Sequence, residues 1–236
     1  MAYIRSAVLW TAGIIFFAVS FCILAVSLMT MPRPVTFTLA RSLFSVQIRI
    51  MGIRLKVEGR EHLDPSQTYL LMGNHESLFD LFVIPAALPL VFTGVEAAYH
   101  FNLPVWGYLI RKWGCIPIQR ENLEEAKKSL ELARQTLADG LSIAILPEGH
   151  RTRTGEMGPF KKGPFHLAKA TGAPLLPFGI SGLFEFQRRG GFIISPGVVT
   201  VRIGAPVPAD AYGHLSVDEL RALMFERIQT LSGDSL

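Results

Sequence analysis

Between Arg5 and Arg33 the chain carries no charged side chain, and from Ala7 to Met29 it is almost wholly apolar. A helix of about 20 such residues is long enough to cross a bilayer, so the first thirty residues are expected to form one apolar helix that serves as a retained membrane anchor. A secretory signal is the competing reading. Its apolar core runs to only about 7–15 residues before a small-residue cleavage site, which fits this longer stretch poorly.

Charge is distributed to match. The net charge is +4, and Arg33, Arg41, Arg49, Arg54, Lys56 and Arg60 face a single acid, Glu58, directly after the apolar run. Such a segment suits anionic lipid head groups. With only Arg5 on the other flank, the asymmetry sets the body of the protein on the cytoplasmic side of a membrane, taken here as the bacterial inner membrane. No nucleic-acid-binding motif accompanies the basic residues, so nucleic acid is not an expected partner. Cys22 and Cys115 lie far apart, with neither a disulfide framework nor metal-ligand spacing, and no metal or cofactor is expected.

Pro32 and Pro34 close the first helix, and Phe37 to Met51 can form a second, amphipathic one with Arg41 and Arg49 on its polar side. The chain is expected to divide there, with residues 1–52 as anchor and basic helix and residues 53–236 as the catalytic domain. Ile53 to Val57 alternates like an edge strand. Further strands are expected at 69–72, 90–95, 115–118, 141–146, 173–180 and 198–203. Between them lie helices over 103–113 and from the Asn122 and Glu125 capping pair to Ala138, with Ser216 and Glu219 opening the last. That alternation predicts an α/β fold, a mixed and largely parallel sheet flanked by helices.

In such sheets the loops at one edge gather into a site, and three of these loops end in polar residues suited to chemistry. The first is Gly73-Asn74-His75-Glu76-Ser77-Leu78-Phe79-Asp80. It follows the apolar run Tyr69 to Met72, and Leu78, Leu81, Phe82 and Pro85 begin a helical pattern whose first amides Ser77 or Asn74 can cap. On one regular helix His75 and Asp80 would stand about 140° apart, so contact requires His75 in the turn before the helix. Asp80 then holds one imidazole nitrogen and leaves the other to accept a proton. The second loop carries Gln119-Arg120, and the third Glu148-Gly149-His150-Arg151.

Four blocks in this order resemble the glycerophospholipid acyltransferases, most closely the 1-acyl-sn-glycerol-3-phosphate acyltransferases. They are Asn74 to Asp80, similar to a His-x4-Asp block; Gly114 to Arg120; Leu146 to Arg151, similar to a Pro-Glu-Gly-Thr-Arg pattern; and Ala173 to Pro177. Three departures stand out: His150 where Thr is usual, Gln119 where Asp is common, and Ala97-Ala98 where many relatives carry a Lys pair. The resemblance implies His75 and Asp80 as the catalytic pair. It implies acceptor phosphate binding at Arg120, and Glu148, Gly149 and Arg151 join it as substrate-binding residues.

The residue chemistry agrees. An alcohol is a poor nucleophile near neutral pH and benefits from a positioned base. No Gly-x-Ser-x-Gly elbow is present, which favours direct attack by the acceptor over an acyl-enzyme. Arg120 and Arg151 offer forked donors to a phosphate. Two blander roles stand beside these: Arg120 in a surface ion pair with Glu121, Glu124 or Glu125, and Glu148 as a loop carboxylate tied to backbone amides.

The expected activity is transfer of a fatty acyl group from an acyl thioester to lysophosphatidic acid, in contact with membrane phospholipids. Coenzyme A and acyl carrier protein both stand as donors. Alternatives are another lysophospholipid or a lyso-aminolipid as acceptor, a membrane hydrolase using the same dyad, and a lipid-binding protein without turnover.

Overall fold

The structure, a computed structural model, describes residues 1–118 and 123–233, with no side-chain detail for residues 123–126. Two long helices come first, α1 (Ala2–Thr30) and α2 (Arg33–Ile50). The second begins four residues before Phe37, because Pro34 falls in its first turn, where no amide needs an intrahelical acceptor. The two pack against each other along a face of α1 that includes Gly13, Ser20 and Ser27, all buried and seven residues apart. Small side chains let the backbones approach closely, and polar groups stitch the pair: Ser27 and Thr36 hydroxyls at 2.8 Å, and Gln47 Nε2 donating to the Gly13 carbonyl at 3.2 Å.

The strands are β1 (Ile53–Glu58), β2 (Leu70–Gly73), β3 (Phe92–Ala97), β4 (Ile116–Ile118), β5 (Ser142–Ile145), β6 (Leu175–Ser181) and β7 (Gly197–Ile203). They form a sheet in the order β1-β7-β6-β2-β5-β3-β4. Every pairing is parallel except β6 with β7. The mixed, largely parallel sheet is the one expected, with β1 at its edge. Pro177 is tolerated inside it because the pairing of β6 with β7 begins only at Phe178.

Side chains of β2 alternate across the sheet and so join two cores. Leu71 packs on one face with Phe37 and Met51 of the α2 hairpin and with Phe82 and Val83 of α3 (Asp80–Ala87). On the other face Leu70 and Met72 meet α5 (Leu123–Ala138), α6 (Gly163–Thr171) and α9 (Val217–Ser232). Helix α4 spans Trp106–Trp113, and two single turns, α7 (Leu183–Phe186) and α8 (Ala209–Tyr212), complete the set. Helix α6 lies in the stretch between Arg151 and Ala173, for which no element was expected. Helix α9 opens on the expected capping box: Ser216 Oγ accepts from the Glu219 amide at 3.2 Å, and Glu219 Oε2 accepts from the Ser216 amide at 2.7 Å. Of its apolar positions, Leu220, Met224 and Ile228 are fully buried, while Leu223 only packs against that core.

Because β2, β5, β3 and β4 run parallel, their carboxyl ends share one edge. The loops after them carry the motifs.

Candidate active site

Strand β2 ends where only a glycine fits. A Cβ on Gly73 would lie 2.2 Å from the Phe178 ring of the neighbouring strand. The chain then leaves the sheet at Asn74, whose buried side chain continues the pairing: Oδ1 accepts from the Ile180 amide at 2.7 Å and Nδ2 donates to the Ile180 carbonyl at 2.8 Å. Neither Asn74 nor Ser77 caps α3, contrary to expectation, because Asn74 is spent on β6. Asp80 occupies the helix start itself and receives the Ser77 amide at 3.2 Å.

His75 sits in the loop before α3, as contact with Asp80 requires. Its Nδ1 lies 2.5 Å from Asp80 Oδ2, with the imidazole side chain about 24% exposed and the carboxylate side chain 3%. Among the described residues Nε2 has no hydrogen-bond partner, so the second ring nitrogen remains available to a proton. Burial pushes the Asp80 carboxyl above its ordinary range, against the pull of the His75 hydrogen bond and charge. Among the described residues its other oxygen, Oδ1, is buried without a hydrogen-bond partner. Held by its contact with Asp80, the imidazole keeps one orientation, with Nε2 on the far side of the ring from that carboxylate.

Glu148 clamps the backbone beneath this pair. The chain turns at Gly149, whose φ of 72° lies in the left-handed region open to glycine. One carboxylate oxygen of Glu148 then accepts the His75 amide at 2.7 Å and the other the Gly158 amide, also at 2.7 Å. The His75 carbonyl in turn accepts from the Thr152 amide at 2.8 Å. Both backbone groups of His75 are thus fixed by the loop after β5. Glu148, expected among the substrate contacts, makes the tie to backbone amides that stood beside that role. Thr152 and Gly158 were not foreseen.

Arg151 follows on the same loop, half buried, and among the described residues its guanidinium pairs with no acid. Its carbonyl accepts from Arg189 at 3.3 Å. Arg120 and Gln119 lie outside the described residues. Glu96, near the end of β3, and His100 just after it form a second pair that the sequence reading missed, with His100 Nδ1 and Glu96 Oε2 2.5 Å apart.

Glu76 is also buried, and its Oε2 accepts the amides of Leu183 and Phe184 at 2.7 and 3.1 Å, tying the motif to α7. Burial, with the nearby Asp80 charge, pushes its carboxyl up to about 8, although the two amides pull the other way. The folded protein therefore holds this proton between roughly pH 4.5 and 8, where the unfolded chain has released it. Stability contributed by this group falls as pH rises through that window, by something on the order of 5 kcal/mol. Melting curves from pH 5 to about 8 are expected to flatten in Glu76→Gln. An unchanged slope in that variant would show that Glu76 is ionised in the fold throughout.

The acyltransferase family profile matches residues 54–181, which contain every motif just described. A 1-acyl-sn-glycerol-3-phosphate acyltransferase of Limnanthes douglasii is 32% identical over 173 residues, 73% of this chain and 61% of that protein. The alpha form from Homo sapiens is 32% identical over 180 residues, 74% of this chain and 61% of its own. The matched part thus spans about three fifths of the length of these relatives. The crystal structure of the 1-acyl-sn-glycerophosphate (LPA) acyltransferase from Thermotoga maritima superposes with a TM-score of 0.84 at 22% identity, covering 99% of this chain and 97% of that one, and so shares its fold. By the matched profile and the identity of its relatives, the chain belongs to the acyltransferase family.

Proposed function

We propose that the protein transfers a fatty acyl group from an acyl thioester to the sn-2 hydroxyl of lysophosphatidic acid, giving phosphatidic acid. The observation that carries this reading is the His75–Asp80 contact, with Nε2 of a partly exposed imidazole unpartnered. The acceptor follows the names of the relatives. In the proposed step Nε2 removes the hydroxyl proton as the oxygen attacks the thioester carbonyl. Collapse of the tetrahedral intermediate breaks the carbon–sulfur bond, and the imidazolium proton passes to the departing sulfur, so that free thiol and ester leave together. Asp80 stabilises the imidazolium while Glu148 holds the loop, and neither bonds to substrate. Coenzyme A and acyl carrier protein present the same thioester and serve equally in this step. Thiol release by purified protein against a panel of lysolipids tests the reading. Release that is indifferent to every acceptor would identify a hydrolase instead.

The same proposal gives Arg151, with Arg120, the acceptor phosphate. Replacing either by Ala is expected to lower acceptor kcat/KM about ten- to a hundredfold, mainly through KM, the worth of a charge-assisted contact. Lysine restores charge without the planar fork and rescues in part. An uncharged monoacylglycerol provides the comparison, and equal losses on both acceptors would make the arginines structural.

Membrane attachment belongs to the proposal as well. Helix α1 lies along the domain: Trp10 meets Phe79 at 5.9 Å, Phe17 meets Phe82 at 5.6 Å and Phe21 stacks on Trp106 at 6.4 Å between ring centres. Its opposite face, with Val8, Ile15, Val19 and Val26, is exposed. A helix held flat against a folded domain embeds in one leaflet more readily than it spans, with the basic segment after it facing head groups.

A further inference from the structure

The connection between β6 and β7 has no part in the motifs, yet it joins the active-site loop to α1. At its near end Ser77 Oγ and Gln187 Oε1 are 3.5 Å apart, and Gln187 Nε2 donates to the carbonyls of Arg188 and Gly191 at 2.8 and 2.7 Å. These bonds hold a tight turn that presents Arg188 and Arg189. Arg189 reaches the Arg151 carbonyl and Arg188 lies over the Phe184 ring, 5.5 Å from its centre. At the far end the connection is fastened to the first turns of α1. Trp10 Nε1 donates to the Phe192 carbonyl at 2.8 Å, Arg5 donates to the Ile194 carbonyl at 3.2 Å, and the Ile194 amide donates to Ser6 Oγ at 2.9 Å.

Between these anchors stand Phe192, 50% exposed, and Ile193, 40% exposed. Tyr3 stacks on the Phe192 ring at 6.5 Å, and Tyr3 and its neighbour Ile4 are themselves exposed. Two arginines beside an aromatic and aliphatic tip, fastened to the first turns of an apolar helix, match the layering of a bilayer surface: cations at the phosphates, rings at the boundary, aliphatic groups below. The one acid close by in sequence is Glu185 in α7.

We propose that residues 188–193 form a second bilayer contact, with Phe192 and Ile193 inserted below the head groups and Arg188 and Arg189 on anionic lipid phosphates. This rests on the membrane reading of α1 and extends it to the loop clamped on the His75 motif. The contact sets the mouth of the site at the lipid surface, where a lysolipid arrives.

The test uses the full chain with Cys22 and Cys115 replaced by Ser and a polarity-sensitive dye on Phe192→Cys or, separately, on Ile15→Cys of α1. Vesicles are phosphatidylcholine with and without phosphatidylglycerol. The Phe192→Cys dye is expected to shift to the blue on binding and to be quenched by brominated lipid. Arg188→Ala with Arg189→Ala should weaken binding to the anionic vesicles about fivefold per arginine lost. A dye in the bilayer at position 15 but in water at position 192 overturns this inference alone. Water at both positions overturns the membrane reading with it. If detergent-solubilised protein is a dimer that Phe192→Asp with Ile193→Asp separates, the face belongs to a second copy and the inference falls.

Discussion

His75→Ala is expected to lower kcat and kcat/KM together by about 10²–10⁴-fold while leaving the protein folded, because a general base acts only as the hydroxyl loses its proton. The fold survives since the side chain is a partly exposed loop group whose backbone, held by Glu148 and Thr152, is unchanged. Asp80→Asn should come close to the same loss for a different reason. An amide of the same shape still fills the buried site, but it carries no charge to stabilise the imidazolium and can leave the ring in the wrong tautomer. Thiol release from an acyl thioester with lysophosphatidic acid measures both, beside a melting curve for each variant. Near-normal turnover in a folded His75→Ala protein would remove the general-base mechanism altogether.

How much of this was legible in the sequence depended on how far apart the partners lie. The His75 and Asp80 contact spans five residues, and helix geometry alone said where His75 had to sit. The Ser216 and Glu219 capping box spans three and was read without ambiguity. Elements bounded by glycine or proline, such as β2 ending at Gly73 or α5 before Gly140, were found to within a few residues. What failed was long range. Asn74 looked like a helix cap because capping is the common local use of Asn, yet its partner is Ile180, 106 residues away. Glu76 reaches Leu183 over 107 residues, and nothing near it in the chain marks it as buried. Strand order and the single antiparallel pairing of β6 with β7 are set by packing of whole helices on the sheet, to which local periodicity is blind. The β6–β7 connection was passed over for a similar reason: Arg188 and Phe192 acquire meaning only beside α1.

Glu148→Ala is expected to be the most damaging change outside the dyad, and to act through geometry. The side chain is 1% exposed and accepts two backbone amides, those of His75 and Gly158, which stand 73 and 10 residues away in the chain. Its removal leaves both amides without an acceptor, and at about 1.5–3 kcal/mol for each charge-assisted bond the loss is roughly 3–6 kcal/mol. For a chain of this size that corresponds to a fall in Tm of about 6–24 °C. Because the His75 loop loses its tether, kcat should drop about a hundredfold, the scale on which misplacement of a catalytic group by about 1 Å is felt. The KM values for thioester and acceptor should stay nearly constant. Glu148→Gln separates this from a substrate contact: it offers one amide-oxygen acceptor and presents an N–H to the other backbone donor, so its melting temperature and its kcat should both fall part of the way. A Glu148→Gln enzyme with unchanged melting and a raised acceptor KM would return the carboxylate to the substrate and release His75 from the clamp.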